Sequence, residues 1–394
     1  MKKLFLLLAI FTLITLNISN AQWAQTNGVL GYVTSLAVNG NNIFAGTSSG
    51  VYLSTNNGTT WNTTSLIYVY VYSIVINGSN IFAGTQNNSI YLSTNNGSTW
   101  NALSGGPSDV RSFLINGSNI FAGTNNSGVY LSTNNGMNWN ALAGSPNGVM
   151  CFSIDGSNIF AAAGGVCLST NNGVNWNYLP GSPSAFGLAI NGTYIFANTN
   201  GMTSEVYLST NNGVNWWQTA SLGLYVAVPI ITFSGNNLFA GTSNGVYLTQ
   251  NYGLSWIEKN QGFGTIPFVS SLLVANNYIF AGTNNQSVWR RNLTEIIGIQ
   301  NISTEIPKSF KLEQNYPNPF NPTTKIKFDI PKVSNIKLTI YDIIGKEISI
   351  LVNEKVSPGS YEVEFNGEKY SSGIYFYRLE TPDFVQTNKI ILLK

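Results

Sequence analysis

The sequence predicts an all-β chain of two units, a seven-bladed β-propeller followed by a small Ig-like antiparallel β-sandwich. Three observations carry this. First, a pattern reading N-G-S-N-I-F-A-G-T, a short loop, then G-V-Y-L-S-T-N-N-G-x-x-W-N recurs through most of residues 22–291. Its anchor phenylalanines, Phe44, Phe82, Phe121, Phe160, Phe196, Phe239 and Phe280, lie 36 to 43 residues apart, and its closing tryptophans, Trp61, Trp100, Trp139, Trp176, Trp216 and Trp256, lie 37 to 40 apart. A period near ~40 holds four short strands with tight turns, which is one propeller blade. Second, each repeat divides into four strands at Asn-Gly turns. Third, residues 22–291 carry only 8 charged side chains, whereas residues 310–394 carry 21. That break marks a boundary, with a linker expected at 292–309.

Taken in order, residues 1–21 read as a secretory signal peptide. Lys2 and Lys3 precede the apolar run Leu4 to Leu16, and Ser19-Asn20-Ala21 is a small-x-small cleavage site. The run is too short to span a bilayer. No Cys follows the site, so no lipid anchor is expected there.

In each repeat, strand A is the apolar run before Asn-Gly, as in Val33–Val38, Val71–Ile76 and Val110–Ile115. Asn and Gly tolerate the positive φ of a two-residue hairpin turn. Strand B is Ile-Phe-Ala-Gly-Thr, strand C is Val-Tyr-Leu-Ser, and strand D opens at the Trp after Thr-Asn-Asn-Gly. The seventh repeat has Ile279 to Thr283 and a strand C at Ser287 to Trp289, but no closing Trp motif. Trp23 precedes the first strand A as Trp61 precedes the second, so residues 22–27 are expected to pair with strand C of blade 7 and close the ring.

The two cysteines, Cys151 and Cys167, replace a repeat Ser and a repeat Tyr on the first and third strands of one blade. With a strand between them they should lie too far apart to bridge.

The segment Ser54-Thr55-Asn56-Asn57-Gly58-Thr59-Thr60-Trp61 resembles the Asp-box, or BNR, repeat of sialidase-like propellers, with Asn in the Asp position. The structural residues this implies are Asn56, Gly58 and Trp61; Asn95, Gly97 and Trp100; Asn134, Gly136 and Trp139; Asn171, Gly173 and Trp176; Asn211, Gly213 and Trp216. The Asn side chain should accept from turn amides, Gly should take the positive φ, and Trp should pack over the turn. Neutral Asn makes a poor Ca²⁺ ligand, so no metal and no cofactor are expected.

Residues 310–394 alternate cleanly at Ile326, Phe328, Ile330; Ile336, Leu338, Ile340; Tyr361, Val363, Phe365; and Ile374, Phe376. Tyr316-Pro317-Asn318-Pro319-Phe320-Asn321-Pro322, Tyr341-Asp342-Ile343-Ile344-Gly345-Lys346, Pro358-Gly359-Ser360-Tyr361, Ser371-Ser372-Gly373-Ile374-Tyr375-Phe376 and Lys389 to Lys394 resemble the type A sorting domain of the type IX secretion system. The resemblance implies export by that machinery through residues 310–394, display on the outer surface of a Gram-negative bacterium of the Bacteroidota type, and attachment there after the domain is removed.

Within the propeller, hairpin turns A–B and C–D fall on one face and loops B–C and D–A on the other. The first set repeats nearly unchanged and the second varies, so a ligand is expected on the loop face. The candidates there are Tyr68, Tyr70, Arg111, Tyr178, Tyr225 and Phe263. A net charge of +2 gives no field for nucleic acid. The absence of His excludes His-based triads and His-ligated zinc. Arg111, Arg290 and Arg291 cannot form a sialidase arginine triad, because the last two are adjacent on a strand and point to opposite faces. The expectation is a non-enzymatic surface protein that binds a glycan or a protein. The alternatives are a glycoside hydrolase pairing Asp109 with Glu205 or Glu258, and a scaffold with no small ligand.

Overall fold

The computed structural model describes residues 22–394 except 30, 87–89, 200–204, 224–225, 299, 304 and 357. The expected signal peptide and Tyr225 lie outside the described residues. Among those described, Ala24 to Asn292 form seven four-stranded antiparallel sheets. In the first, strand A is Val33–Asn39, B is Asn42–Thr47, C is Gly50–Ser54 and D is Asn62–Ile67, paired in that order. Each strand A touches the next, and Val269–Ala275 of the last sheet touches Val33–Asn39 of the first, so strand A is innermost and the sheets form a closed ring.

Closure runs as the sequence suggests. Ala24–Gln25 adds to Val288–Asn292 as the fourth strand of blade 7, with Ala24 opposite Arg290 and Gln25 opposite Trp289. Trp23 is 3% exposed; it stacks on Phe263 at 5.0 Å and donates its indole N–H to Lys259 O at 2.7 Å. Thr26 donates its hydroxyl to Val288 O and accepts from Trp61 Nε1, tying blade 7 to blade 1.

The core is distributed over the junctions. Each anchor Phe reaches from its own strand B into a cluster shared with the next blade, as Phe44 does with Val71, Ile74, Ile81 and Ala83. The turn glycines lie against these rings. A Cβ on Gly58 would stand 2.5 Å from Phe280 Cε1, and one on Gly97 would stand 3.0 Å from Phe44 Cε1. In blades 1 to 4 the repeated Phe and the repeated Gly are thus two halves of one contact made between neighbouring blades, whereas Gly213 and Gly253 face Leu179 and Thr219 instead.

Within each turn the sequence reading needs an addition. Asn56 Oδ1 accepts the Thr60 amide at 2.9 Å, but the Gly58 amide goes to Ser54 Oγ at 2.8 Å, and Ser54 donates onward to Asn56 Oδ1 at 3.0 Å. The Ser ending strand C is therefore a full member of the turn. It is buried in each copy where it occurs, at Ser54, Ser93, Ser132, Ser169 and Ser209.

Two four-stranded antiparallel sheets make the C-terminal unit. One orders Gln300–Ser303, Gly359–Asn366, Thr323–Ile330 and Lys311–Leu312; the other orders Glu347–Val356, Ser334–Tyr341, Gly373–Glu380 and Val385–Leu392. Ile326, Phe328, Ile336, Leu338, Tyr361 and Val363 face the shared core as expected. The register of Gly373–Glu380 is the reverse of the sequence reading. Tyr377 and Leu379 are fully buried while Ile374 is 41% exposed, because the Tyr377 hydroxyl is needed inside, where it donates to Glu313 O and accepts from the Asn315 amide. The stretch 292–309 is also more than a connector. Leu293–Ile297 is a short helix whose Ile296 is buried in the blade 6–7 cluster, and Gln300–Ser303 joins the sandwich.

Candidate functional site

The site begins with an irregularity in strand A. In blades 1, 2, 3, 5 and 7 the A–B register shifts just after the buried residue that opens the strand, Val33, Val71, Val110, Ala185 and Val269. The residue that follows is unpaired, as in a β-bulge, and a bulge re-aims its side chain. These bulged residues are Thr34, Tyr72, Arg111, Phe186 and Ser270, and all are half-buried. The residues before the buried position are Tyr32, Tyr70, Asp109, Ser184 and Phe268.

On the loop side of the ring these positions meet across consecutive blades. Tyr32 of blade 1 approaches Phe268 of blade 7, with ring centroids 6.5 Å apart. Tyr70 and Tyr72 of blade 2 are tilted together at 4.9 Å. The guanidinium of Arg111, from blade 3, sits 3.7 Å over the Tyr72 ring and is ion-paired to Asp109 at 3.0 Å. Burial raises the phenol pKa of Tyr32, Tyr70 and Tyr72, and Tyr70 is pushed further by its neighbours Tyr32 and Tyr72. All three hydroxyls are therefore neutral donors at physiological pH. The result is an aromatic arc on one half of the axial mouth. On the other half, blades 4, 5 and 6 place Gly148 and Met150, Ser184 and Phe186, and Ala227 and Pro229 at the matching positions, so that Phe186 stands there without an aromatic neighbour from blade 4 or 6.

The backbone holds the arc by a repeated bond. In blades 1, 2, 3 and 7 the first residue of the B–C loop donates its amide to the carbonyl of the residue before the buried position: Ser48 to Tyr32, Gln86 to Tyr70, Asn125 to Asp109 and Asn284 to Phe268. Residues with uncharged amide or hydroxyl side chains, Ser48, Gln86, Asn125 and Asn284, thus follow strand B beside Tyr32, Tyr70, Asp109 and Phe268.

The inner edges of the A strands are closed by hydroxyls from the neighbouring blade. Ser35 Oγ accepts the Ile74 amide, Ser112 Oγ accepts the Phe152 amide, and Ser73 Oγ donates to Val110 O, each at 3.1 Å. Cys151 takes the same place in blade 4, with Sγ 3.8 Å from Leu188 O. Both cysteines are free, and strand Asn158–Ala162 separates them as the repeat alignment implies.

Of the sequence candidates, Tyr70 and Arg111 belong to the arc. Tyr68 is 92% exposed on the adjoining D–A loop. Tyr178, 59% exposed, lies on the outermost strand of blade 4 and donates its hydroxyl to Ala163 O. Phe263 does not present a ring to solvent: it is packed between Trp23 and Trp289, because ring closure needs an apolar wall there. Tyr32, Tyr72 and Phe268 carry no signal of their own in the sequence, since Tyr72 falls inside an apolar strand A run and Tyr32 and Phe268 immediately precede one. The signal available was their position directly beside the residue opening strand A.

The three candidate acids do not converge. Asp109 precedes an innermost strand and is held by Arg111. Glu205 enters the third strand of blade 5 and accepts from the Tyr207 hydroxyl at 2.7 Å. Glu258 is exposed on the outermost strand of blade 6 and accepts from Asn260 Nδ2. Arg290 and Arg291 diverge as expected. Arg290 donates to Asn57 O and Thr59 Oγ1 of blade 1, whereas Arg291 donates to Lys259 O and Gln261 Oε1 of blade 6. Among the described residues no group of three or more Cys, Asp or Glu could hold a metal ion. Clefts of ≈ 330 Å³ beside Glu305–Ser309 and ≈ 240 Å³ beside Asn62–Ser65 lie away from the mouth.

Residues 314–393 match the secretion system C-terminal sorting domain. The chain is thus exported by the type IX route, secreted, and placed on the outer surface of a Gram-negative bacterium of the Bacteroidota type. No curated protein matches it significantly. Solved structures with similar folds include YCF48 bound to a D1 peptide, at 14% identity and TM-score 0.56, covering 70% of this chain and 96% of that one. The WD40 β-propeller domain of Doa1 is 13% identical with TM-score 0.54, covering 68% and 95%. An ancestral GH74 enzyme is 17% identical with TM-score 0.57, covering 93% of this chain and 63% of its own. At these identities the likeness establishes the propeller fold alone.

Proposed function

We propose that this chain is a non-enzymatic binding protein of the bacterial surface, which takes a glycan or protein ligand on the loop face of its propeller. The observation that carries this is the aromatic arc Tyr32, Tyr70, Tyr72 and Phe268 with Arg111, exposed in part at the one place where all blades meet. Binding sites favour such surfaces, largely apolar with a few fixed polar groups. The separation of Asp109, Glu205 and Glu258 onto different strands of blades 3, 5 and 6 argues against a hydrolytic pair, which needs its carboxyls within ~5–9.5 Å. YCF48, whose fold is similar, has been solved with a peptide bound, in keeping with ligand capture by a propeller of this size. The Ser-x-Asn-x-Gly turns are read as an Asn form of the Asp-box that serves folding alone. The sorting domain is read as removed at the surface, leaving the propeller attached there.

The test is to screen residues 22–394 against glycan and peptide arrays, assaying captured sugars for new reducing ends. Binding without cleavage, weakened by Tyr70→Ala, is expected. Cleavage lost on Asp109→Asn would establish the hydrolase instead. Failure to bind any probe would leave the scaffold.

A further inference from the structure

Resting on that binding reading, we infer that the mouth takes an uncharged sugar chain, its rings laid across the half of the ring formed by blades 7, 1, 2 and 3. Three features of the mouth select this ligand over charged glycans and peptides.

The first is charge. Asp109 and Arg111 are the ionic side chains of the arc, and they are spent on each other at 3.0 Å, with the guanidinium also on the Tyr72 ring. An anionic polysaccharide would have to draw Arg111 from Asp109, and a cationic one would have to do the reverse. Neither finds an unmatched charge of opposite sign among the arc residues.

The second is shape. Tyr70 and Tyr72 are tilted by 48° at 4.9 Å and Tyr32 and Phe268 by 57° at 6.5 Å, two half-buried aromatic pairs on neighbouring blades; Arg111 caps one face of Tyr72, so Tyr72 acts by holding Tyr70. The apolar C–H face of a hexose stacks on such a ring while its equatorial hydroxyls reach sideways. Beside these rings the B–C loops begin with Ser48, Gln86, Asn125 and Asn284, uncharged residues whose backbone is bonded to the main chain beside the arc.

The third is what the mouth withholds. A peptide captured as an added strand needs a free sheet edge. Here the inner edges at Ile74, Phe152 and Val110 are already bonded to serine hydroxyls of the next blade.

The test is calorimetric titration of residues 22–394 with neutral cello-, xylo-, manno- and malto-oligosaccharides, polygalacturonate oligomers, chitosan oligomers and a mixed hexapeptide library. At least one neutral series should bind, with affinity changing less than twofold between 50 mM and 500 mM NaCl. Tyr70→Ala and Tyr72→Ala should each weaken it tenfold or more, with tryptophan fluorescence unchanged as the check on folding. Tyr178→Ala, out on the rim, should leave it within twofold. Selective binding of the charged oligomers, or of peptides, lost on Tyr72→Ala, overturns the sugar inference and keeps the binding reading. Neutral-sugar binding indifferent to both tyrosines overturns the location. No binding by any probe, or cleavage of one, overturns the binding reading itself.

Discussion

Replacing Trp23 with alanine should open the ring. Trp23 is 3% exposed, and a buried Trp withdraws ~150–250 Å² from water, worth about 4–6 kcal/mol at ~25 cal/mol per Å². Trp→Ala substitutions in cores cost ~3–5 kcal/mol, and the lost indole bond to the Lys259 carbonyl, which still accepts from Arg291, adds roughly 1 kcal/mol. A loss of about 4–6 kcal/mol is expected, most of the stability of an ordinary domain. Trp23→Phe should retain the stacking on Phe263 and lose only the indole bond, about 1–2 kcal/mol. All 9 tryptophans lie between Trp23 and Trp289, so urea unfolding followed by tryptophan fluorescence reports on the ring without interference from the sandwich. The expected curve is a single transition moved to lower urea with its slope unchanged. A shift below about 1 kcal/mol would refute the claim that this strand closes the ring. A separate early transition would show that blade 7 opens alone, against the cooperativity a shared core at every junction implies.

Gly58→Ala forces a side chain onto a residue at φ 75° and against Phe280; the combined strain should cost about 2–4 kcal/mol by chemical denaturation, whereas Gly78→Ala, also at positive φ but with nothing within 4 Å, should cost about 1 kcal/mol. Ser132→Ala leaves the buried Gly136 amide without its acceptor and should cost about 1–3 kcal/mol in the same assay, while Ser132→Thr should restore part of it. Burial pushes Cys167 up to about 11 from 9.0 and raises Tyr32, Tyr70, Tyr72 and Tyr377 above 10.0. These groups are neutral when protonated and their folded values are the higher ones. Their contribution is therefore complete below pH 9 and lost as pH rises toward 11. With no His to titrate, the thermal midpoint should be level from pH 6 to 8 and fall between pH 9 and 11; a step inside the neutral range would contradict this. Native protein at pH 8 should react with a thiol reagent at neither Cys151 nor Cys167, and both should react at once in denaturant.

The legible part of this molecule is what repetition writes down. Phe44 and Gly97 are visible as motif residues because the same contact recurs between other pairs of blades, and Trp23 is visible as the missing half of the seventh motif. The arc is not repeated, so it has no signature of its own. Tyr32 and Tyr72 differ from Gly148 and Met150 without breaking any pattern, since a bulged residue beside the axis is tolerant of side chain. Identifying them takes knowledge of which strand is innermost and where its register slips. Phe263 failed in the opposite sense, as a loop aromatic whose partners, Trp23 and Trp289, come from opposite ends of the ring. In the sandwich, Tyr375, Phe376 and Tyr377 are successive aromatics, so alternation alone could not say which belongs inside; a buried polar network around Asn315 decided it.

Because Ala24–Gln25 pairs with Val288–Asn292 and Trp23 seats on Lys259 and Phe263, the first strand of the ring has nowhere to bind until blade 7 has followed it. A chain interrupted anywhere before blade 7 holds stacked blades with both outer faces bare. The same geometry makes the finished ring hard to open from either end, since each terminus of the propeller is clasped by the other. Completeness of the chain is thus a condition of its durability, and a clipped copy would advertise itself by the apolar faces it leaves uncovered.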